Sequence, residues 1–265
     1  MSESPFISAL AVILAVGVFA WLFSIPRKDV SFVDSLWPLF FVVAAAVFAY
    51  ASQPLSDRGL LVLALVTVWA LRLSVYITAR NWGQGEDYRY QAIRANNEPG
   101  FTFKSLYIVF GLQGVLAWLV ALPLLPAIAS TGPLTVLDGV AVALWLLGFI
   151  FEAGGDWQLS RFKRDPANKG RVMDRGLWSL TRHPNYFGDF CIWWAFYLFA
   201  VAAGGWWSVI SPLLMSFLLL RVSGVAMLEN TITERRPGYR EYIERTNAFF
   251  PGLRRRPIQH EELKP

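Results

Sequence analysis

The stretch Gly59-Leu60-Leu61-Val62-Leu63-Ala64-Leu65-Val66-Thr67-Val68-Trp69-Ala70-Leu71-Arg72-Leu73-Ser74-Val75-Tyr76-Ile77-Thr78-Ala79-Arg80 reads as a helix that crosses a membrane. A spanning helix needs roughly 20 mostly apolar residues. Here charge enters only at Arg72 before the run ends on Arg80. Further runs of the same kind lie on both sides, at about residues 5–25, 31–51, 105–129, 134–154, 186–203 and 206–228. Composition agrees. Hydrophobic residues make up 55% of the chain and charged residues 16%, and mean hydropathy is +0.42. A soluble domain carries more charge. The first run follows Ser2-Glu3 rather than a basic segment, so it reads as a span and not as a signal peptide.

The connections alternate in charge. Arg27 and Lys28 follow the first run, and Arg80, Arg89, Arg94 and Lys104 the third. Arg161, Lys163, Arg164, Lys169, Arg171, Arg175 and Arg182 separate the fifth from the sixth. Arg235, Arg236, Arg240, Arg245, Arg254, Arg255, Arg256 and Lys264 follow the seventh. The remaining short connections carry one base, Arg58. Basic loops stay cytoplasmic. The pattern therefore predicts an all-α bundle of seven spans in one domain over residues 1–265, N-terminus outside and C-terminus inside. The long connections, and so the chemistry, face the cytoplasm. A bacterial inner membrane is the expected location.

Cys191 is the single cysteine, which excludes an internal disulfide and a multi-cysteine metal site. The two histidines are too few to argue for a metal. The bases sit against a membrane, which suits anionic lipid headgroups better than nucleic acid. No obligate protein partner is indicated. There is no strand-linked G-x-G-x-x-G, no P-loop and no G-x-S-x-G, so a nucleotide would not be held by a Rossmann or P-loop domain.

Ionisable groups within or at the ends of spans are costly and usually face a protein interior or a wet cavity. Arg72 and Arg221 lie inside spans, and Asp34, Glu152, Asp189 and Glu229 lie at cytoplasmic ends. Their similar depth predicts one cavity open to the cytoplasm. Arg72, Tyr76 and Arg80 are four apart and share a stripe, as do Asn185 and Asp189. Glu152, Asp156 and Lys163 fall near one face if the fifth helix runs past the membrane. The segment Thr181-Arg182-His183-Pro184-Asn185-Tyr186-Phe187-Gly188-Asp189 opens the sixth span. Pro184 suits the first helical position, with His183 or Thr181 as cap. The free N–H groups there suit an anion such as a phosphate.

This segment, preceded by Gly176-Leu177-Trp178-Ser179-Leu180 and followed by two apolar runs and Tyr239-x-x-Tyr242, resembles the steroid 5α-reductase family. Val33-Asp34-x-x-Trp37, Arg80-Asn81-Trp82-Gly83 and Glu86-Asp87-Tyr88-Arg89-Tyr90 are similar to its bacterial membrane branch. Sterol reductases and isoprenylcysteine methyltransferases share the Arg-His-Pro-like segment. The resemblance implies an NADPH-dependent reductase that saturates the C=C bond of a steroid-like enone. It implies Tyr76 as the donor to the carbonyl oxygen. The family's Gln-Glu pair is missing from the second span, and Asp34, or a polar position near Trp37, is the nearest substitute. The cofactor part falls at about residues 150–250. Asp156, Arg161, Lys163, Arg171, His183, Asn185, Tyr186, Asp189, Glu229, Arg235 and Tyr242 are the implied cofactor residues, with Asn185 and Asp189 at the nicotinamide end. His183 could bond the cofactor or only cap the helix. An S-adenosylmethionine-dependent methyltransferase and a lipid transporter or binder are the competing readings.

Overall fold

The structure, a computed structural model, describes residues 4–222 and 238–254, which fold as helices and connecting turns with no strand among them. Five helices are long and apolar enough to cross a membrane. They are α1 (Pro5–Arg27), α2 (Val33–Ala51), α3 (Asp57–Asn81), the continuous helix Phe101–Val120, and α8 (Val136–Arg164). Phe101–Val120 comprises α5 (Phe101–Ser105), a π-helical stretch over Leu106–Gly111, and α6 (Leu112–Val120). The sixth expected span forms α9 (Pro184–Ala202). The seventh forms an apolar helix over Trp206–Val222 that includes α10 (Ile210–Phe217), and the rest of that run lies outside the described residues.

One expectation is corrected. The run 105–129 is not a single helix: Phe101–Val120 ends, and α7 (Leu124–Ala129) starts anew after a turn. Pro123 explains the break, because it has no N–H to continue the helical hydrogen bonds.

The chain divides into two compact units, one of Met1–Ala141 with Phe196–Ser211, the other of Val142–Ala195 with Pro212–Pro265. In the first, α1, α2 and α3 pack side by side, and α7 packs on α2 and α3. Ser56 caps α3 by accepting from the Gly59 N–H at 3.2 Å. Gly59 then lets α3 approach α7, since a Cβ there would sit 2.7 Å from the Ile128 carbonyl oxygen. The Trp118 indole donates to the Phe6 carbonyl at 2.7 Å, and the Trp21 indole donates to that of Thr102 at 2.7 Å. These bonds tie α1 to the Phe101–Val120 helix. A short amphipathic helix, α4 (Tyr88–Asn97), packs Tyr90 and Ile93 against Val30, Val33, Phe101 and Phe110.

In the second unit, α8 and α9 cross with their backbones in contact. A Cβ on Gly188 would lie 2.4 Å from both the Gly148 carbonyl oxygen and the Glu152 nitrogen. Two glycines at a crossing let membrane helices approach more closely than any side chain permits. From Gly238 the described chain forms α11 (Tyr239–Arg245) and a loop whose Phe249 and Phe250 pack on Phe187 and Phe190.

Candidate functional site

Two polar clusters stand out, one in each unit. The first lies where the α3–α4 connection returns to the start of α2. The Asp34 carboxylate accepts from Arg89 Nη2 at 2.6 Å and from the Tyr90 hydroxyl at 2.5 Å. Gln113 on α6 donates to the same hydroxyl at 2.9 Å. A second latch runs alongside it. Glu86 accepts from the Val30 N–H at 3.0 Å and from Arg94 at 2.7 Å. Asp87 caps α4 through the Arg89 N–H. Burial, then Asp34 beside it, raises the Tyr90 hydroxyl pKa, so the phenol stays protonated and donates. Burial alone would lower Arg89, but the bonds and charges of Asp87 and Asp34 outweigh it and its pKa is raised.

Tyr76 sits half-buried on α3, with the Arg80 guanidinium 5.7 Å from its ring centroid. The expected stripe of Arg72, Tyr76 and Arg80 is thus on one helix. Asp34 is not joined to it: the hydrogen bonds of its carboxylate go to Arg89 and Tyr90. These bonds tie the start of α2 to α4. Asp34→Asn should lower stability by about 1–2 kcal/mol, since it weakens a charge-assisted pair. Thermal unfolding of the purified variant reads this directly. An unchanged midpoint with lost turnover would make it a catalytic acid instead.

The second cluster lies at the start of α9. Pro184 opens this helix, as the sequence predicts, and Asn185 and Asp189 follow one turn apart. The Thr181 hydroxyl accepts from the His183 N–H at 3.2 Å and shapes the turn that leads into the helix. The His183 ring stacks on Tyr186, with centroids 5.6 Å apart. Gly155 brings α8 onto this helix end: a Cβ there would meet Asn185 N at 3.3 Å. Gly188 packs against Glu152, and the two helices carry three buried carboxylates, Glu152 and Asp156 on α8 and Asp189 on α9. Lys163 in the last turn of α8 and Arg171 on the connection that follows are both exposed. Arg161 is also exposed, with its guanidinium 5.5 Å from the centroid of Trp157.

The tail clasps the segment before α9. Arg182 donates to the Ile243 and Thr246 carbonyls at 3.1 and 3.3 Å, the carbonyls that close α11. A cation suits a helix C-terminus. The Thr181 hydroxyl donates to Phe249 O at 2.8 Å, and the Gly252 N–H to Leu180 O at 3.0 Å. Tyr242 donates to the Trp178 carbonyl at 2.5 Å, and burial keeps it protonated by raising its pKa. Tyr242 therefore closes over the loop that positions His183. Glu229 and Arg235, expected to join this site, lie outside the described residues. Gln113 and Gln158 carry no sequence signal of their contacts here. The latter accepts from the Leu177 N–H at 3.0 Å and fixes the turn before Thr181. Nothing in spacing signals Gln113, whereas Arg182 belongs to the segment that opens the sixth span.

Among the described residues no group of histidines, cysteines and acids could hold a metal ion. A profile of a protein family of unknown function, DUF1295, matches residues 20–246. An uncharacterized protein of the fission yeast Schizosaccharomyces pombe is 27% identical over 284 residues, covering 95% of this chain and 81% of that protein. No solved structure matches. The family match takes in both clusters, and the chain belongs to the DUF1295 family, which includes steroid 5α-reductase-like proteins.

Proposed function

We propose that the chain is an NADPH-dependent membrane reductase that saturates the carbon–carbon double bond of a steroid-like enone. In this reading α9 and the Trp206–Val222 helix are the sixth and seventh spans. The N-terminus is outside, and the connection between α8 and α9 faces the cytoplasm, in a bacterium across the inner membrane. The observation that carries the proposal is the set of buried carboxylates Glu152, Asp156 and Asp189 at the α8–α9 crossing, followed by exposed Lys163 and Arg171.

Buried acids in a membrane protein are expensive and are retained where they are used. Their chemistry orders a dinucleotide along the site. Carboxylates accept from ribose hydroxyls and a carboxamide but repel phosphates. Asp156 and Asp189 with the Asn185 amide thus suit the nicotinamide and ribose end, and Lys163 and Arg171 suit the phosphates. The donor set fits the cofactor. When bound, NADPH supplies a hydride. Tyr76 donates a hydrogen bond to the substrate carbonyl oxygen, where negative charge develops as the double bond is reduced.

The test is thermal unfolding of detergent-purified protein with NADPH or S-adenosylmethionine. A ligand at a hundred times its Kd stabilises by about 2.7 kcal/mol. NADPH should raise the midpoint and S-adenosylmethionine should not; the reverse result would make the chain a methyltransferase. Asn185→Ala and Asp189→Ala should weaken the NADPH shift. Tyr76→Phe should leave that shift intact and cut turnover of a 3-oxo-Δ4-steroid by about a hundredfold or more.

A further inference from the structure

Apart from Lys163, the exposed residues of α8 form one stripe. Leu146 and Ile150 are 49% and 60% exposed, Trp157 is 56% exposed, and Arg161 and Arg164 are exposed as well. Their spacings of four, seven, four and three keep them on one side of a helix that turns about 100° per residue. The opposite side carries Gly148 and Gly155, which face α9. The stripe is therefore the side of α8 turned away from its packing partner. It is apolar first, then aromatic, then basic.

Length places the change. Helix α8 has 29 residues and so measures roughly 43 Å, against a hydrocarbon core of about 30 Å. Some twenty residues from Val136 reach about residue 156, so Trp157 stands at the membrane surface and Arg161 and Arg164 stand just beyond it. Tryptophan favours the headgroup level, and arginine there meets lipid phosphates. The Arg161 guanidinium already lies over the Trp157 ring.

The same geometry separates Arg161 from the cofactor residues. Lys163 continues the stripe of Glu152 and Asp156, whereas Arg161 lies roughly 160° around the helix from Lys163. We infer that Trp157, Arg161 and Arg164 form a binding surface for anionic phospholipid headgroups, and that Arg161 is a lipid contact and not a cofactor ligand. This assignment rests on the orientation proposed above, and its cofactor arm rests on the NADPH reading.

The experiment is native mass spectrometry of the detergent-purified chain with phosphatidylglycerol or phosphatidylcholine. Each base at a membrane surface contributes roughly a fivefold preference for anionic lipid. R161Q/R164Q should lower phosphatidylglycerol binding at least fivefold and leave phosphatidylcholine binding unchanged. Lys163→Gln should do neither. In parallel, NADPH affinity from thermal shifts should fall for Lys163→Gln and stay unchanged for R161Q/R164Q. Undiminished phosphatidylglycerol binding by the double variant overturns the proposal. So does a loss of NADPH affinity on replacing Arg161, because that makes it a phosphate ligand of the cofactor. If the wild type binds no NADPH, the reductase reading falls while the lipid measurement still decides this one.

Discussion

Gly188→Leu should abolish recovery of folded protein, and Gly188→Ala alone should lower the thermal midpoint sharply. The reason is geometric. A Cβ at this position would stand 2.4 Å from the Gly148 carbonyl oxygen, 2.4 Å from the Glu152 nitrogen and 2.6 Å from the Glu152 Cβ. Two of these atoms are helix backbone, so no rotamer change relieves the clash and α8 and α9 must move apart. Overpacking that displaces backbone costs typically about 1–3 kcal/mol and more where nothing yields. For Gly188→Ala we expect at least about 3 kcal/mol, a large part of the 5–15 kcal/mol that holds a typical domain. Gly148→Ala should behave alike, since its Cβ would meet the Gly188 carbonyl oxygen at 2.6 Å. Gly139 on the same α8 is the control: nothing lies within 4 Å of a Cβ there, and alanine should gain up to about 1 kcal/mol of helix propensity. Equal losses at Gly139 and Gly188 would mean that the crossing is not what the substitution disturbs. The same variant reports on the candidate site, because Glu152 and Asp189 lie on the two helices that meet at this crossing. A Gly188→Ala protein that still folds should bind NADPH more weakly.

Much of the scaffold is legible in the sequence because apolar length is a one-dimensional quantity. The runs at 5–25, 31–51 and 59–80 became α1, α2 and α3 with boundaries shifted by a few residues. The start of α9 at Pro184 was equally readable, since proline carries its own backbone constraint. What escaped reading depends on how helices meet. Gly188 was visible only as one residue of a conspicuous segment, and its role requires knowing that Gly148 lies across from it. Asp34 shows the same limit from another side. Its position at the start of α2 and the lack of a Gln-Glu pair made it the nearest candidate for a catalytic acid. The structure joins it to Arg89 and Tyr90 on α4, more than fifty residues away in sequence. A carboxylate's chemistry follows from its partners, and long-range partners leave no trace in spacing. Arg161 and Lys163 are two residues apart and look alike in the chain, yet the helix turns them to different sides.

Arg58→Met should be the most damaging change at a charged residue outside the candidate site. Arg58 was legible only as the single base among the short connections, and that reading assigned it nothing beyond topology. In the structure it is 1% exposed and donates to five acceptors. Its Nε and Nη2 grip both oxygens of Asp138 at 2.8 Å, and its Nη groups also reach the Ser130 hydroxyl and the Gly132 and Pro133 carbonyls. The Thr135 N–H and hydroxyl donate to Asp138 as well, at 2.6 and 2.9 Å. One guanidinium therefore fixes the start of α3, the turn after α7 and the first turn of α8. Methionine keeps much of the volume but leaves the buried carboxylate with the Thr135 donors alone and three acceptors without this donor. Breaking a buried pair from one side costs about 3–5 kcal/mol, because the remaining charge is uncompensated. The pair as a whole is a different matter, since two desolvated charges gain little over a well-packed apolar substitute. Arg58→Met combined with Asp138→Leu should therefore recover most of the loss. Thermal unfolding of the two single variants and the double variant decides the case. If the double variant unfolds at the sum of the single losses, the residues act independently and the bidentate pair is not what holds this end of the unit.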